Sequence, residues 1–391
     1  MTPDGQHAHI TFEGVLESAE NVQGPWIEVT NAVSPVTLEL TGPQRFLRAR
    51  STTVESIFAS CSVVPLTLQG PLQTHFDLAF AGTPDGIFPP QREKPYFDGT
   101  VQLAGFELPI QLRVRGNSSL QECPFPKLKL KVSKQDRADT PFADAREIKI
   151  GTHCAEGGQG TIGRLRDQTA TFREALAYEV IAHLGFISPR VRRAQIEYRD
   201  TSPTNASTPT GWNLARSAFI LEDIEVVAER MGGRALDDDE VAGLTDAGFA
   251  EDLITALRLL HTLLGNWDYA LSADGRGLWN TDVIALANGQ LVPVAGDFDL
   301  ASWVTEVVRS SAPHDYHPEL GEIEREARYG IELIQKESGR AHFESARALF
   351  LLEQAAIESD VADALVDPAG RANALRHLSA FYDALLVLPA E

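Results

Sequence analysis

The stretch LLGNWDYALS, residues 263–272, is an apolar run that stops at Gly-Asn-Trp-Asp and places one aspartate, Asp268, directly after it. A second stretch, VAGDFDLASW at 294–303, follows closely and places Asp297 and Asp299 directly after an apolar strand pattern. Taken singly, acidic residues at such positions are most often solvated turn residues. Taken together and in this order, they favour two halves of one metal and phosphate site.

The composition is typical of an ordinary soluble globular protein, with 43% hydrophobic and 23% charged residues, and 391 residues are enough for two or three domains. A net charge of −21 argues against a general binder of nucleic acid or anionic membrane, but it allows a local cationic pocket for a nucleotide. No apolar run reaches the ~18–20 residues that span a bilayer. The start MTPDGQHAHITFEG lacks a signal-peptide pattern, which predicts a cytoplasmic protein or one whose export signal has been removed.

Alternating apolar and polar residues predict short strands in the first half of the chain. Residues 8–50 favour a small β-sandwich-like module, and a second β-rich region begins near residue 62, as in an antiparallel sheet. Its candidate strands are THFDLAFAG (74–82), GTVQLAGFELPIQLRVRG (99–116), PKLKLKV (126–132), REIKIGTH (146–153), RRAQIEYRD (192–200) and SAFILEDI (217–224).

Helical patterns dominate after residue 225. AGFAEDLITALRLLHTLLG (247–265) has apolar residues at helical spacing, and two further helical stretches run through 322–358 and 368–386. An earlier helix is predicted at 171–184, where Thr171 and Glu174 form a capping-box pattern. A β-rich first half and a helical second half predict an α+β, bilobal arrangement preceded by the β module.

Phosphoryl transfer needs a cation on the nucleotide phosphates, a carboxylate that orients the acceptor hydroxyl, and a second carboxylate, often helped by an Asn, that holds a divalent metal. The strand PKLKLKV carries Lys127, Lys129 and Lys131 on one face, because strand side chains alternate. The ordinary explanation of such a face is a solvated edge; the functional one requires a lysine that faces a cleft.

Several segments together resemble the spore-coat CotH kinase family, whose members are atypical, secreted protein-kinase-like proteins of bacteria and some fungi. These segments are RVRGNSSLQECPFPKLKLKV (113–132), FREALAYEVIAHLGFISPRVRRAQIEY (172–198), FILEDIE (219–225), LLGNWDYAL (263–271) and VPVAGDFDLASW (292–303). The resemblance covers roughly residues 70–305. It implies a bilobal kinase-like domain at 62–391, with an N-lobe at about 62–221 and a C-lobe at about 222–391, after a module at 1–58.

The resemblance also implies roles for individual residues. Asp268 corresponds to the catalytic aspartate of the Asn-Trp-Asp loop, and Asp297 to the metal-binding first aspartate of Asp-Phe-Asp, with Asp299 as a further candidate ligand. Either Lys129 or Lys127 would hold the nucleotide phosphates.

The resemblance implies roles for further positions. Arg115 and Asn117 would lie on a loop above the nucleotide, and Glu222 in the segment that links the lobes. Asn280 is a candidate metal ligand, although the family places its Asn nearer to the catalytic aspartate.

Two glutamates compete to be the acidic partner of the lysine. Glu174 occupies the family's position, but a capping role would also explain it. Glu179 lies on an apolar stripe, where a carboxylate is costly unless it is paired.

The resemblance therefore implies phosphoryl transfer from ATP, with Mg²⁺ or Mn²⁺, to a hydroxyl acceptor that is expected to be protein Ser or Thr. The alternatives are a surface or coat protein with a degenerate kinase fold, which binds or scaffolds without catalysis, and a small-molecule kinase. The resemblance also implies export or a cell-surface location, against the cytoplasmic alternative.

The chain contains three cysteines, Cys61, Cys123 and Cys154, without zinc spacing. If the strands beside them are neighbours in one sheet, Cys123 and Cys154 can form a disulfide and leave Cys61 free. Two reduced, buried thiols are the alternative in a reducing compartment.

Overall fold

The computed structural model of the protein describes residues 2–387 with gaps. The residues that it leaves out are 4–6, 12–14, 22–24, 31, 40–44, 51–53, 81–93, 117–118, 124, 155–167, 204–211 and 272–277. The fold is mixed α+β, as the sequence predicted, and it divides into two compact units. One is Met1–Ile57 together with Arg137–Asp144; the other is Phe58–Asp136 together with Ala145–Glu391. The division into a module at 1–58 and a domain at 62–391 stays a prediction.

The first unit contains two three-stranded antiparallel sheets, with the short strands that the sequence predicted. The strands are β1 (Thr2–Pro3), β2 (His7–Ile10), β3 (Val15–Ala19), β4 (Ile27–Glu28), β5 (Val36–Glu39) and β6 (Phe46–Arg50). Strands β1, β2 and β5 form one sheet, and β4, β3 and β6 form the other. Ile10 and Leu16 are the buried residues of its small core. The segment 137–144 joins this unit through a 2.7 Å hydrogen bond from the Ile57 amide to the Pro141 carbonyl.

Seven strands of the second unit close into a barrel. They are β7 (Val64–Gly70), β8 (Phe97–Leu103), β9 (Phe106–Arg115), β10 (Lys127–Lys131), β11 (Glu147–Thr152), β12 (Val191–Asp200) and β13 (Asn213–Glu222). Their order is β10-β11-β13-β12-β7-β8-β9, and β9 pairs with β10 to close the ring. The expectation of an antiparallel sheet is corrected in two respects: β12 and β7 are parallel, and the closed ring leaves no open edge.

One predicted strand, THFDLAFAG, is wrong. Its residues 74–80 lie in helix α1 (Leu72–Phe80), which buries Leu72, Phe76 and Ala79. That spacing of four and three residues is helical, and the strand of this region is β7, just before it. The hairpin of β8 and β9 agrees with its sequence, because its two-residue turn, Ala104-Gly105, has positive φ at both positions.

The remaining elements lie mostly in the second half of the chain. The helices are α2 (Ser119–Glu122), α3 (Lys134–Arg137), α4 (Gln168–His183), α5 (Ile224–Arg230), α6 (Asp238–Val241), α7 (Glu251–Leu264), α8 (Ser302–Thr305), α9 (Glu322–Glu337), α10 (Arg340–Asp363) and α11 (Pro368–Val387). A small antiparallel sheet consists of β14 (Gly233–Ala235), β15 (Thr281–Leu286) and β16 (Leu291–Ala295), and a 3₁₀ turn spans Asp246–Gly248. The stretch predicted as one helix at 322–358 is two helices, α9 and α10.

The main hydrophobic core joins α4, α7 and the three C-terminal helices, and it includes Phe219 and Leu221 of β13. Helix α4 is buried along most of its length, and its polar residues Arg173 and Glu174 face protein rather than water. No helix in the described part of the chain is both long and apolar enough to cross a membrane.

The predicted disulfide between Cys123 and Cys154 is confirmed, with the two Cα atoms 4.6 Å apart, and Cys61 is free and exposed. The bond joins the segments that flank the antiparallel pair β10 and β11. A sequence separation of 31 residues corresponds to roughly 3–4 kcal/mol of stabilisation by the loss of chain entropy in the unfolded state.

Candidate active site

The first lysine of β10, Lys127, is buried and binds two aspartates. Its Nζ atom lies 2.9 Å from Oδ1 of Asp297 and 3.2 Å from Oδ2 of Asp299. Burial by itself lowers the pKa of a lysine, but the charges of Asp297, Asp299 and Glu174 outweigh it and raise the pKa of Lys127 above its ordinary value. Lys127 therefore carries a fixed positive charge at physiological pH.

The next two lysines of the same strand face have other partners. Nζ of Lys129 lies 2.6 Å from Glu147 Oε2 and 2.9 Å from Asp223 Oδ2, and Lys131 shares Glu147 at 3.4 Å. The three lysines thus share one face, as the alternation predicted. Of the three lysines, only Lys131 fits a solvated edge, since its side chain is 45% exposed. Lys127 and Lys129 are largely buried and ion-paired.

Glu174 of α4 belongs to the same cluster of charges. It is 2% exposed, and its Oε2 atom has no hydrogen-bond partner among the described residues. Burial raises the pKa of Glu174 to about 8; the charge of Lys127 lowers it, and the carboxylates of Asp299 and Asp297 add to the rise. A buried carboxylate oxygen without a hydrogen bond is costly. The charge of Lys127 offsets part of this cost when Glu174 is ionised.

The capping pattern predicted for α4 is wrong. The helix begins at Gln168, so Thr171 lies inside its first turn, where its hydroxyl donates to the Gln168 carbonyl at 2.7 Å. Glu179 is not part of the lysine cluster, since both of its carboxylate oxygens accept hydrogen bonds from Arg193 of β12. The structure therefore brings Glu174, and not Glu179, to Lys127.

Asp297 lies at the turn directly after β16. Its φ of +55° is in the left-handed region that side chains rarely adopt, and its amide donates to the Tyr178 hydroxyl at 3.0 Å. Phe298 is fully buried and packs edge-to-face against the Tyr178 ring, 5.1 Å away. These contacts hold the turn in a strained conformation, which is a feature that clusters at functional sites.

Asp268 follows the end of α7 and is held by an asparagine. Gly265 ends the helix with φ +59°, and a Cβ there would lie 2.9 Å from atoms of His377 and Ser302. Asn266 accepts the Asp268 amide at 3.1 Å, and its own amide group lies 3.1 Å from Nδ1 of His261. The glycine and asparagine of Gly-Asn-Trp-Asp therefore position the aspartate.

The Asp268 carboxylate accepts two further hydrogen bonds. Asn280 Nδ2 donates to Oδ2 at 3.0 Å, and Trp279 Nε1 donates to Oδ1 at 3.2 Å. Burial, together with the charges of Asp297 and Asp299, nevertheless raises the pKa of Asp268. A higher pKa makes a carboxylate a better proton acceptor, provided that it stays ionised.

A cavity of about 470 Å³ brings these side chains together. Its polar wall includes Arg115, Lys127, Lys149, Glu174, Asp268, Asn280 and Asp297. Apolar side chains of the sheets and of the segment around α6 complete the wall: Phe219, Leu221, Leu236, Val241, Val283 and Val294. The volume lies within the range of small-molecule sites, which combine apolar walls with a few convergent polar groups.

Four predicted site residues are not among the described residues that line this cavity: Lys129, Glu179, Glu222 and Asp299. Glu222 is fully buried and is paired with Arg190 and Arg230 at 2.9 Å each. Asp299 reaches Lys127 but does not reach the cavity wall. The predicted position Asn117 lies outside the described residues.

Comparisons with known proteins leave the family open. No protein-family model matches the chain, and no curated protein matches it. A solved structure to which the chain is distantly similar is that of a Helicobacter pylori proinflammatory kinase, CtkA, with a TM-score of 0.35 and 10% sequence identity over 68% of this chain and 92% of that one. A similarity this low carries no argument, so the function has to be inferred from the residues of the cavity.

The oxygen atoms at the cavity suit a hard divalent cation that arrives with phosphates. In the described part of the chain, no group of three His, Cys, Asp or Glu side chains could hold a metal by itself. Magnesium, however, is commonly held by one or two carboxylates and completes its shell with water and substrate phosphates. Asp297, whose side chain is 37% exposed, and the amide oxygen of Asn280 are of the right chemical type.

Two residues of the site were missed in the sequence. Tyr178 and Trp279 line the cavity and bind the backbone of Asp297 and the carboxylate of Asp268. Tyr178 lies one helical turn after Glu174, so the choice of Glu174 would have placed it on the same face of α4. Trp279 directly precedes Asn280, and no sequence pattern marked it as a site residue.

We expect Lys127→Met to lower the free energy of unfolding by about 3 kcal/mol at pH 9, because it leaves buried carboxylates without their cation. The loss should be smaller at pH 5. The pKa of Glu174 is about 8 in the folded protein against 4.5 unfolded, and loss of Lys127 raises it further. Both folded proteins keep Glu174 protonated up to about pH 8, so their stabilities fall in parallel as the pH rises from about 5. Above pH 8 only the wild-type carboxylate ionises beside Lys127, so the variant continues to lose stability and the difference between the two proteins grows.

Urea unfolding of both proteins at the two pH values measures this effect. Lys131→Met is the matched control, since it removes a lysine from the same strand face at a largely exposed position, and it should change stability by less than about 0.5 kcal/mol. An equal loss for the two variants, or a larger loss at pH 5, would contradict the buried charge cluster.

Proposed function

We propose that this chain is an ATP-dependent phosphotransferase of the CotH kinase type. The observation that carries the proposal is the ion pair of Lys127 with Asp297 at the wall of a cavity that Asp268 also lines. A cation for phosphates, a carboxylate for a metal and a carboxylate for an acceptor are the three groups that phosphoryl transfer needs. A bilobal kinase-like arrangement is part of the proposal, since Lys127 and Glu174 come from about 62–221 and both aspartates from about 222–391.

The cavity offers complementary surfaces for the two ends of a nucleotide. Side chains such as Leu221, Val283 and Val294 provide apolar wall for a base, and Arg115, Lys127 and Lys149 provide positive charge for phosphates. The same wall carries the carboxyl groups of Glu174, Asp238, Asp268, Asp282 and Asp297, so the three cations are local charges in an otherwise acidic cavity, which is compatible with a chain whose net charge is −21. It does not require the extended basic surface of a nucleic-acid binder.

Asp297 and Asn280 would hold Mg²⁺ or Mn²⁺ together with the phosphates. The cation would neutralise charge on the phosphates and align them for transfer. Lys127 would also neutralise charge on these phosphates, because its ammonium group lies 2.9 Å from Asp297. Tyr178 and Phe298 would keep the Asp297 turn in place while the metal and the phosphates are bound.

Asp268 would orient the acceptor hydroxyl and take its proton. The acceptor oxygen forms a bond to the γ-phosphorus, the bond from that phosphorus to the bridging oxygen of ADP breaks, and the hydroxyl proton moves to Asp268. Asn280 and Trp279 fix the rotamer of Asp268 through their hydrogen bonds. Such positioned proton transfer contributes about 10²–10⁴-fold to a rate.

The resemblance to the CotH family supports a protein Ser or Thr acceptor and an exported protein. The Cys123–Cys154 disulfide supports export as well, because disulfides persist in oxidising compartments. Fractionation of the host cells tests the location, and recovery of the protein only from the cytosol would contradict export.

The first experiment is a thermal-shift titration with ATP and Mg²⁺ or Mn²⁺, followed by incubation with labelled ATP. A ligand present at a hundred times its Kd stabilises the folded state by about 2.7 kcal/mol, which raises Tm measurably. ATP with EDTA is the control, and label should appear on Ser or Thr of the protein or of an added acceptor. A metal-dependent shift without transfer would favour the degenerate, non-catalytic alternative. The absence of any shift would contradict the proposal.

A further inference from the structure

The two carboxylates that bind Lys127 differ in their access to the cavity. Asp297 lines the cavity wall, and its side chain is 37% exposed. Asp299 is 2% exposed and is not among the described residues of that wall. A nucleotide-bound metal can therefore meet Asp297 directly, whereas Asp299 can act on the nucleotide only through Lys127.

The sequence Gly-Asp-Phe-Asp explains how both carboxylates reach one lysine. Phe298 is fully buried between them and packs against Tyr178, so the turn is anchored at its centre. Asp297 and Asp299 then approach Lys127 Nζ from the two sides of that anchor, at 2.9 Å and 3.2 Å. The second aspartate of the motif faces the protein interior.

We propose that Asp299 is a positioning residue that holds the Lys127 ammonium at the cavity while Asp297 is engaged with the metal and phosphates. The inference rests on the proposed function. A carboxylate that binds a divalent cation shares its charge with that cation and holds a neighbouring ammonium less strongly. Asp299 is buried and does not line the described cavity wall, so it cannot bind the metal directly and keeps its ion pair with Lys127 when Asp297 is engaged. The candidate metal role of Asp299 is replaced by this one.

The test is a double-mutant cycle on ATP affinity with Asp299→Asn, Lys127→Met and the double variant. We expect Asp299→Asn to weaken ATP binding by about 10- to 100-fold, the range found for outer-shell partners of functional groups. The Mg²⁺ concentration for half-maximal binding should stay at the wild-type value. In the Lys127→Met background the same substitution should have almost no further effect, because the residue through which it acts is gone.

Asp223→Asn is the matched control. Asp223 is equally buried and binds Lys129, one pleat further along the same strand, at 2.9 Å. It does not line the described cavity wall, so its substitution should leave ATP affinity unchanged. Asp299→Glu keeps the charge and should restore most of the affinity, and Asp299→Ser carries the cycle if Asp299→Asn does not fold.

Three results would overturn the inference: wild-type affinity in Asp299→Asn, additive effects of Asp299→Asn and Lys127→Met, or a shift in the Mg²⁺ requirement at unchanged ATP affinity. The last would mark Asp299 as a metal ligand. Failure of the wild-type protein to bind ATP is a different outcome, which contradicts the proposed function itself.

Discussion

Asp268→Asn should lower the rate of phosphoryl transfer by about 10²–10⁴-fold and leave ATP binding nearly unchanged. The partner of Asp268 in the proposed reaction is the acceptor hydroxyl, and its present hydrogen bonds come from Asn280 and Trp279. An asparagine retains the size of the side chain but cannot accept the hydroxyl proton. The substitution therefore removes chemistry rather than a nucleotide contact.

Single-turnover transfer from labelled ATP measures the rate, and calorimetric titration measures the affinity. Asp252→Asn is a control for the loss of one negative charge, since Asp252 is exposed in the first turn of α7. It should leave both quantities at the wild-type value. A large loss of ATP affinity in Asp268→Asn, with the fold intact by circular dichroism, would mean that Asp268 binds the nucleotide or its metal.

Asp297→Asn should abolish metal-dependent ATP binding, because it removes the one exposed carboxylate that would hold the cation at the phosphates. Titrations with ATP in Mg²⁺ and in EDTA should then give the same weak affinity. In the wild-type protein, Mg²⁺ should tighten binding strongly. A variant that still responds to Mg²⁺ would show that other side chains hold the metal.

The contrast between these two variants carries more information than either alone. An active kinase loses transfer in Asp268→Asn and binding in Asp297→Asn. A degenerate kinase that still binds ATP responds only to Asp297→Asn, because it has no turnover to lose. A purely structural protein responds to neither substitution, and equal loss of binding in both would mean that Asp268 also binds the nucleotide or its metal and that its assigned role is wrong.

Local sequence patterns were sufficient for several elements that build the site. Alternation predicted β10 and β11, the spacing of apolar residues predicted α7, and the order of Gly-Asn-Trp-Asp and Gly-Asp-Phe-Asp predicted one acidic site. The pairing of Cys123 with Cys154 followed from neighbouring strands. The strand and helix signals succeed because each depends on residues that are close in sequence.

Local sequence patterns gave wrong predictions where one pattern is compatible with two different structures. Residues 74–82 alternate weakly and also carry apolar residues at helical spacing, and only packing on the barrel selected the helix α1. Glu174 fitted a helix cap in the sequence, but α4 begins three residues before Thr171, so Glu174 lies inside a buried helix. Closure of the barrel likewise depends on β9 meeting β10, together with a parallel pair, β12 and β7.

By itself, then, the sequence determined that three lysines share one strand face and that two aspartate motifs follow apolar segments. Only the tertiary structure determined which of the lysines, and which of the two candidate glutamates, lies next to these aspartates. Alternation sets the direction of a side chain but not the position along the strand that another element approaches. That position depends on where the turn after β16 and the helix α4 pack against the barrel, which brings Lys127 within 2.9 Å of a residue 170 positions away.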